Sequence, residues 1–159
     1  MLKIEVLALG NLKEKYWKDA IAEYQKRLKR FCKFEIIELK EESISDMPSH
    51  NEIEIALSKE AIQLLKKIQK DDYVVALAID GEQQTSEGFA KTIGKFEQMG
   101  KKIIFIIGSS HGLSQSVYER ANIKVSCSKM TFPHQMLRLI FIEQLYRGYK
   151  INRNEKYHK

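Results

Sequence analysis

Segment 108–112 (GSSHG) matches the G-x-S-x-G pattern in which α/β-hydrolases carry a serine nucleophile. It follows the apolar run Ile103–Ile107, as that motif requires. The acid and the histidine of such a hydrolase would have to be Glu119 and His134, crowded close behind the serine. The next predicted helix also begins only after the second glycine and not at the serine, so both observations argue against a hydrolase. A glycine-rich loop after a buried strand also lets the backbone approach a ligand closely, and this second interpretation is favoured.

The C-terminal end of the chain combines cations with aromatic rings. Three tyrosines lie among six cations there: Tyr146, Tyr149 and Tyr157 with Arg138, Arg147, Lys150, Arg153, Lys156 and Lys159. Cations suit phosphates, and aromatic faces stack on unpaired bases, so this end is a candidate RNA contact. A solvated helix end, where cations favour the helix dipole, would show the same residues. A second basic group ends the first predicted helix: Lys26, Arg27, Lys29 and Arg30.

Other binding motifs are missing from the sequence. No Gly-Lys-Ser/Thr follows a glycine run, and no GxGxxG follows the first strand, which excludes a P-loop and an ordinary Rossmann dinucleotide site. The histidines lack the spacing of metal ligands, so no metal is expected: His50, His111, His134 and His158.

The composition is that of one folded domain. The chain has 159 residues, of which 43% are hydrophobic and 30% charged. Its 27 Lys and Arg against 21 Asp and Glu give a net charge of +6, which favours a polyanionic partner such as nucleic acid. An acidic excess in residues 41–60 predicts a solvated face turned away from RNA.

We expect a cytoplasmic protein with reduced cysteines. Cys32 and Cys127 lie far apart and form no CxxC motif. The first residues do not resemble a signal peptide, and the longest apolar run, Tyr73–Ile79, is too short to span a bilayer.

Apolar segments typical of strands alternate with helical patterns. The predicted strands are Ile4–Ala8, Phe34–Leu39, Tyr73–Ile79, Ile103–Ile107 and Ile123–Ser126. The predicted helices are Lys13–Arg30, Ser49 to about Lys70, Ser86–Met99, Ser116–Ala121 and Gln135–Ile151. This alternation predicts a single α/β domain over residues 1–159, with a mainly parallel sheet flanked by helices. Ligands of such sheets bind at the carboxyl ends of strands, which selects the loops after Ile79, Ile107 and Ser126.

Three local features complete the prediction. Ser49 with Glu52, and Ser116 with Glu119, have the spacing of a capping box at a helix start. A turn is expected at residues 80–81 (Asp-Gly). The last helix is apolar around most of its circumference, so one face is expected on the sheet and the other on a second copy of the chain. The alternative is a helix buried wholly within one chain.

Residues 128–135 (SKMTFPHQ), a long apolar helix and a tail ending in YHK resemble the ribosomal RNA large subunit methyltransferase H family. These are small members of the SPOUT (trefoil-knotted) methyltransferases, and the resemblance extends through KEKYW, FIIGSSHGL and the closing EKYHK. It implies an enzyme that uses S-adenosylmethionine to methylate N3 of a pseudouridine in helix 69 of 23S rRNA on the assembled ribosome. It also implies a C-terminal trefoil knot and a homodimer.

The resemblance places the cofactor-binding positions on the three strand-end loops, at Leu77, Gly108, Cys127, Ser128, Lys129, Met130, Thr131 and Phe132. Ser109 stands where relatives often have glycine, and Cys127 where a bulkier apolar residue also occurs. Contacts made by the backbone are expected to survive both differences.

The same resemblance implies catalytic roles near the chain end. The target N3 must lose its proton, and His158 is the candidate base. Arg153 and Tyr157 would hold the base or its phosphate, while Arg138 and Glu143 would order the site from the last helix. The tail is expected to complete a site whose cofactor sits in the other subunit.

Two further expectations accompany this interpretation. His134 is expected to be structural, with a hydrogen bond to the cofactor loop. The alternative function is a non-catalytic RNA-binding factor associated with the ribosome, which would need no cofactor pocket.

Overall fold

Parallel pairing of short apolar strands builds the centre of the molecule. The computed structural model describes residues 1–159 and contains β1 (Lys3–Leu9), β2 (Lys33–Leu39), β3 (Tyr73–Gln83), β4 (Ile103–Ile107) and β5 (Ile123–Ser126). In space the order is β2-β1-β4-β3-β5, and every neighbouring pair is parallel. The central strand β4 is buried along its whole length, as a strand covered on both faces must be.

Helices cover both faces of this sheet. They are α1 (Lys15–Leu28), α2 (His50–Lys66), α3 (Ser86–Met99), α4 (Gln115–Arg120) and α5 (His134–Asn152). Alternate side chains of one strand enter two different cores: Phe105 packs with residues of α1, α3 and α5, whereas Ile106 packs with residues of α2 and α4. The predicted class, an α/β domain with a parallel sheet flanked by helices, is confirmed.

Local signals set some of the helix boundaries. Ser49 and Glu52 form the predicted capping box, with the Glu52 N–H donating to Ser49 Oγ at 3.1 Å. The capping box predicted at Ser116 is wrong, because α4 begins one residue earlier and Ser114 is its N-cap. The hydroxyls of Ser114 and Ser116 lie 3.1 Å apart and bond each other instead.

Strand β3 continues through the position where the sequence predicted a turn. Its first part pairs with β5 up to Leu77, and its second part pairs again from Glu82, so Val125 has two partners in β3 with a register shift between them. A Cβ on Gly81 would lie 2.7 Å from the carbonyl carbon of Val125, closer than any side chain tolerates. Glycine is therefore required where β3 approaches the backbone of β5 this closely.

The apolar helix α5 is only partly covered within one chain. Phe141, Leu145 and Tyr149 are fully buried against α1, α3 and the sheet. Leu139 and Ile140 remain half-buried, so a second copy on this face stays a prediction. None of the helices is both long and apolar enough to cross a membrane.

Candidate functional site

A cavity of about 800 Å³ opens at the carboxyl ends of β4 and β5, beside residues 77–80 of β3. Its walls are those four residues, loop 108–112 and segment 126–134 without Lys129, together with Tyr118 and Leu137. Its volume lies within the range of small-molecule sites in proteins. Two of the loops selected from the sequence, those after Ile107 and Ser126, therefore meet around one space at the carboxyl edge of the sheet. The loop predicted after Ile79 is wrong, because β3 continues to Gln83. No group of three His, Cys, Asp or Glu side chains converges to hold a metal ion.

The structure brings nearly all of the predicted cofactor-binding residues to this cavity. Those that line it are Leu77, Gly108, Cys127, Ser128, Met130, Thr131 and Phe132, whereas Lys129 does not. Ser128 gives the third loop its shape. Its hydroxyl accepts the N–H of Met130 at 3.0 Å, and its carbonyl accepts the hydroxyl of Ser126 at 2.9 Å.

Loop 108–112 folds tightly back on itself. The N–H of Gly112 donates to the carbonyl of Ser109 at 2.9 Å, and Gly112 has a φ of 87°, a left-handed value that favours glycine. A Cβ on Gly108 would lie 2.5 Å from the carbonyl oxygen of Gly112. Ser110 has no histidine or carboxylate partner, and the next helix begins only at Gln115, so the loop is not the nucleophile elbow of a hydrolase.

Glu60 of α2 supports this loop and was missed in the sequence. Only 2% of Glu60 is exposed, so the prediction of a solvated acidic face fails at this residue. Its Oε1 accepts the hydroxyl of Ser109 at 3.1 Å, and its Oε2 accepts the N–H of Glu42 at 3.0 Å. Burial raises the pKa of the Glu60 carboxyl. Helical spacing could have found it, because Glu60 lies on the same face as the buried residues Leu57 and Leu64.

The C-terminal tail folds back onto α5. The hydroxyl of Tyr157 donates to Glu143 Oε1 at 3.0 Å and lies 3.2 Å from the hydroxyl of Tyr24. Arg147 Nη2 donates to the same carboxylate oxygen at 2.6 Å. Burial and these hydrogen bonds raise the pKa of Tyr157, so its phenol stays protonated.

Both ring nitrogens of His158 are engaged. Nδ1 lies 3.2 Å from Arg147 Nη1, and Nε2 lies 2.8 Å from Glu87 Oε1. Because a guanidinium only donates, Nδ1 must accept and Nε2 must carry the proton that bonds Glu87. The pKa of Glu87 is lowered, first by its own backbone N–H and then by His158. Arg147 therefore occupies the hydrogen-bond acceptor of the His158 ring.

The two remaining predicted catalytic residues lie elsewhere in the chain. Arg138 is 1% exposed, and it donates to Glu38 Oε2 at 2.8 Å and to the carbonyl of Gly10 at 3.2 Å. It therefore joins the start of α5 to the ends of β1 and β2. Arg153 is exposed at the end of α5, with its guanidinium carbon 5.8 Å from the ring centroid of Phe31.

The predicted catalytic residues are thus divided. Tyr157, His158 and Glu143 belong to one cluster, and Arg138 and Arg153 do not join it. None of the five lines the large cavity of its own chain. His134 does line it but makes no hydrogen bond to the loop, because its ring lies beside Gly10 instead.

The fold and this site define a class of protein. A family model described as "Predicted SPOUT methyltransferase" matches residues 2–158. The chain belongs to the SPOUT methyltransferase family.

Individual relatives are similar over the full length. Proteins named Ribosomal RNA large subunit methyltransferase H from Bacillus pumilus (strain SAFR-032) and Bacillus thuringiensis (strain Al Hakam) are each 48% identical to it over 159 residues. The matches cover 99% of this chain and 100% of each relative. They confirm the resemblance found in the sequence motifs.

Proposed function

We propose that this chain methylates N3 of a pseudouridine in helix 69 of 23S rRNA on the assembled ribosome, with S-adenosylmethionine as the methyl donor. The cavity at the ends of β4 and β5, beside residues 77–80 of β3, is the observation that carries the proposal. Membership of the SPOUT methyltransferases, which use S-adenosylmethionine, and the names of the relatives support it. A ribosomal substrate implies a cytoplasmic location.

The lining of the cavity fits this cofactor. Leu77, Met130 and Phe132 offer apolar walls for the adenine and the methyl-bearing end, and the backbone of Gly108 and of 127–132 offers polar groups for its edges. These residues and Lys129 would hold the cofactor. When bound, S-adenosylmethionine supplies a methyl group activated by a positively charged sulfur.

The tail residues would prepare the target base. N3 of the base must lose its proton as the methyl group arrives, and positioning accounts for much of the rate of such transfers. Guanidinium groups bind phosphates strongly, so an RNA phosphate would form an ion pair with Arg147 and draw it away from His158. Nδ1 of His158 would then be free to accept the proton from N3. Glu143 would keep Tyr157 in place meanwhile.

A homodimer would bring tail and cavity together. The tail residues do not line the cavity of their own chain, and one face of α5 is only half-buried. Pairing through α5 would bury that face and let the tail of one subunit complete the cavity of its partner. Membership of the SPOUT family, whose members are trefoil-knotted, supports a knot in the C-terminal part of the chain.

Calorimetric titration of the purified chain with S-adenosylmethionine tests the cofactor. We expect about one molecule bound per chain, or fewer if the two sites are coupled. No binding to a folded dimer that still binds ribosomes would overturn the proposal in favour of the non-catalytic RNA-binding factor.

Methyl transfer from labelled cofactor tests the substrate. We expect label in intact ribosomes and none in ribosomes that lack the pseudouridine. Equal label in both would overturn the assignment of the base.

Variants of the tail test its chemistry. His158→Ala, Tyr157→Phe and Arg153→Ala should each slow methylation of ribosomes while cofactor binding persists. Lys95→Ala removes an exposed cation on α3 and serves as the matched control. Wild-type rates in all three tail variants would remove the tail from the mechanism.

A mixed dimer tests whether the site is shared. One subunit would carry Gly108→Ala and the other His158→Ala, so that only one of the two sites has an intact cavity and an intact tail. Recovery of about half of the wild-type rate is expected, and no recovery would contradict a shared site.

A further inference from the structure

Glu60 connects three separate parts of the chain. It belongs to α2, its Oε2 accepts the N–H of Glu42 in the segment after β2, and its Oε1 accepts the hydroxyl of Ser109 in the cavity wall. Only 2% of Glu60 is exposed, and no lysine or arginine pairs with it. A buried carboxylate without a cation is costly, so its two donors must hold it in place.

Loop 108–112 depends on this one side-chain anchor. The hydroxyl of Ser110 and the ring of His111 have no hydrogen bond, and the internal backbone bond of the loop runs between Ser109 and Gly112. The residue that closes the loop on itself is therefore the residue that Glu60 holds. Losing the Glu60 bond would free the loop from α2 and loosen the internal turn that Ser109 and Gly112 close.

We propose that Glu60 is a positioning residue that holds loop 108–112, through Ser109, in the shape that the cofactor site requires. Glu60 does not line the cavity, so it would act only through the loop. The identity of the ligand rests on the proposed function, whereas the connection between Glu60 and the loop does not.

The nature of the bond predicts which replacement preserves it. A glutamine at position 60 can accept the N–H of Glu42 with its oxygen and donate its NH₂ to Ser109, because a serine hydroxyl can rotate to accept. Leucine has a similar size and can make neither bond. Glu60→Gln should therefore rescue the function that Glu60→Leu loses.

Cofactor affinity is the first measurement, made by calorimetry on the full chain. Losing one hydrogen bond of ordinary strength should weaken S-adenosylmethionine binding by about 3- to 10-fold in Glu60→Leu and in Ser109→Ala. Glu60→Gln should stay within about 2-fold of wild type. The double variant should bind no more weakly than Glu60→Leu alone, because both changes break the same bond.

Gln63→Ala is the matched control. Gln63 also lies on α2 and donates to the carbonyl of Lys40 at 3.2 Å, but it does not touch the loop. It should leave cofactor affinity within about 2-fold of wild type. Equal affinities in all variants, or equal weakening in Gln63→Ala, would overturn the role of Glu60.

Hydrogen exchange of the Gly112 amide is the second measurement, and it needs no ligand. Exchange should be faster in Ser109→Ala and Glu60→Leu than in wild type, and unchanged in Gln63→Ala. If the wild-type chain binds no S-adenosylmethionine, the proposed function fails, and exchange still decides whether Glu60 holds the loop. Unchanged exchange in Ser109→Ala, which removes only a hydroxyl, overturns the inference even if Glu60→Leu does not fold.

Discussion

Replacing Gly108 by alanine adds one methyl group to the most crowded point of the cavity wall. The new Cβ would lie 2.5 Å from the carbonyl oxygen of Gly112, 2.9 Å from its carbonyl carbon and 3.0 Å from Leu113 Cγ. Non-bonded carbon atoms prefer separations of about 3.5–4.0 Å, so the loop must move by roughly 1 Å. The nearest atoms belong to the backbone, which cannot rotate out of the way as the end of a side chain can. Gly108 has no positive φ, so the contact alone causes the cost.

The size of the effect follows from this contact. Forcing an extra methyl group into a packed site costs about 1–3 kcal/mol. If the loop moves to relieve the clash, that cost appears as weaker binding, and 1.4 kcal/mol corresponds to a tenfold change in affinity. We therefore expect S-adenosylmethionine to bind Gly108→Ala about 5- to 100-fold more weakly. If the strain stays in the folded chain, the melting temperature should fall by about 2–10 °C.

The assay is calorimetric titration together with thermal unfolding of the same preparation. Gly94→Ala is the matched control, because a Cβ there would meet only Asn152 Nδ2 at 3.8 Å, in the middle of α3. Alanine in a helix interior is favoured over glycine by about 1 kcal/mol, so this variant should melt at a higher temperature with unchanged cofactor affinity. Wild-type affinity and wild-type melting temperature in Gly108→Ala would refute the tight turn.

Three other perturbations follow from the structure. Arg138→Met leaves Glu38 without its cation and should lower the free energy of unfolding, measured in urea, by about 2 kcal/mol. This is less than for a fully buried pair because the Glu38 side chain is partly exposed. An unchanged urea midpoint would contradict the prediction. At pH 8 a disulfide reagent should label the exposed Cys127, more slowly once the cofactor is added, but not Cys32, which is buried and whose pKa burial raises to about 11. Burial raises the pKa of the Cys127 thiol too, so access of the reagent distinguishes the two cysteines, and rapid labelling of both would count against the packing. Ser49→Ala should lower the melting temperature by about 2–4 °C through loss of its cap, whereas no change would mean that the helix start is held by other contacts.

Much of the fold was predictable because its signals are local. Strands β1, β4 and β5 are short apolar runs, and their alternation with helical spacing defines a parallel sheet. Ser49 and Glu52 mark a helix start by their own hydrogen bonds. The rule that ligands bind where parallel strands end selected three segments, and the loops after Ile107 and Ser126 do line one cavity, beside residues 77–80 of β3.

The contacts of the site were less predictable, because its partners are distant along the chain. Arg138 bonds Glu38 across 100 residues, and Ser109 bonds Glu60 across 49. The family resemblance placed Arg138 in the catalytic site, and the acidic excess of residues 41–60 predicted that Glu60 is solvated. Neither signal reveals a hydrogen-bond partner. The tail likewise bonds two different helices, through Tyr157 to Glu143 of α5 and through His158 to Glu87 of α3. These bonds depend on how α3 and α5 pack together.

The sequence by itself determined the class of fold, the loops after β4 and β5 and, through its motifs, the family. Only the tertiary structure decided that β3 pairs with β5 both before and after residues 78–81. It also decided that Glu60 accepts the hydroxyl of Ser109 in the cavity wall and that Arg147 lies within hydrogen-bond distance of Nδ1 of His158. Periodicity reports which face of an element is apolar, and this is a property of neighbouring residues. Register and hydrogen-bond partners depend on how elements far apart in the chain dock together, so they appear only once the whole chain is folded.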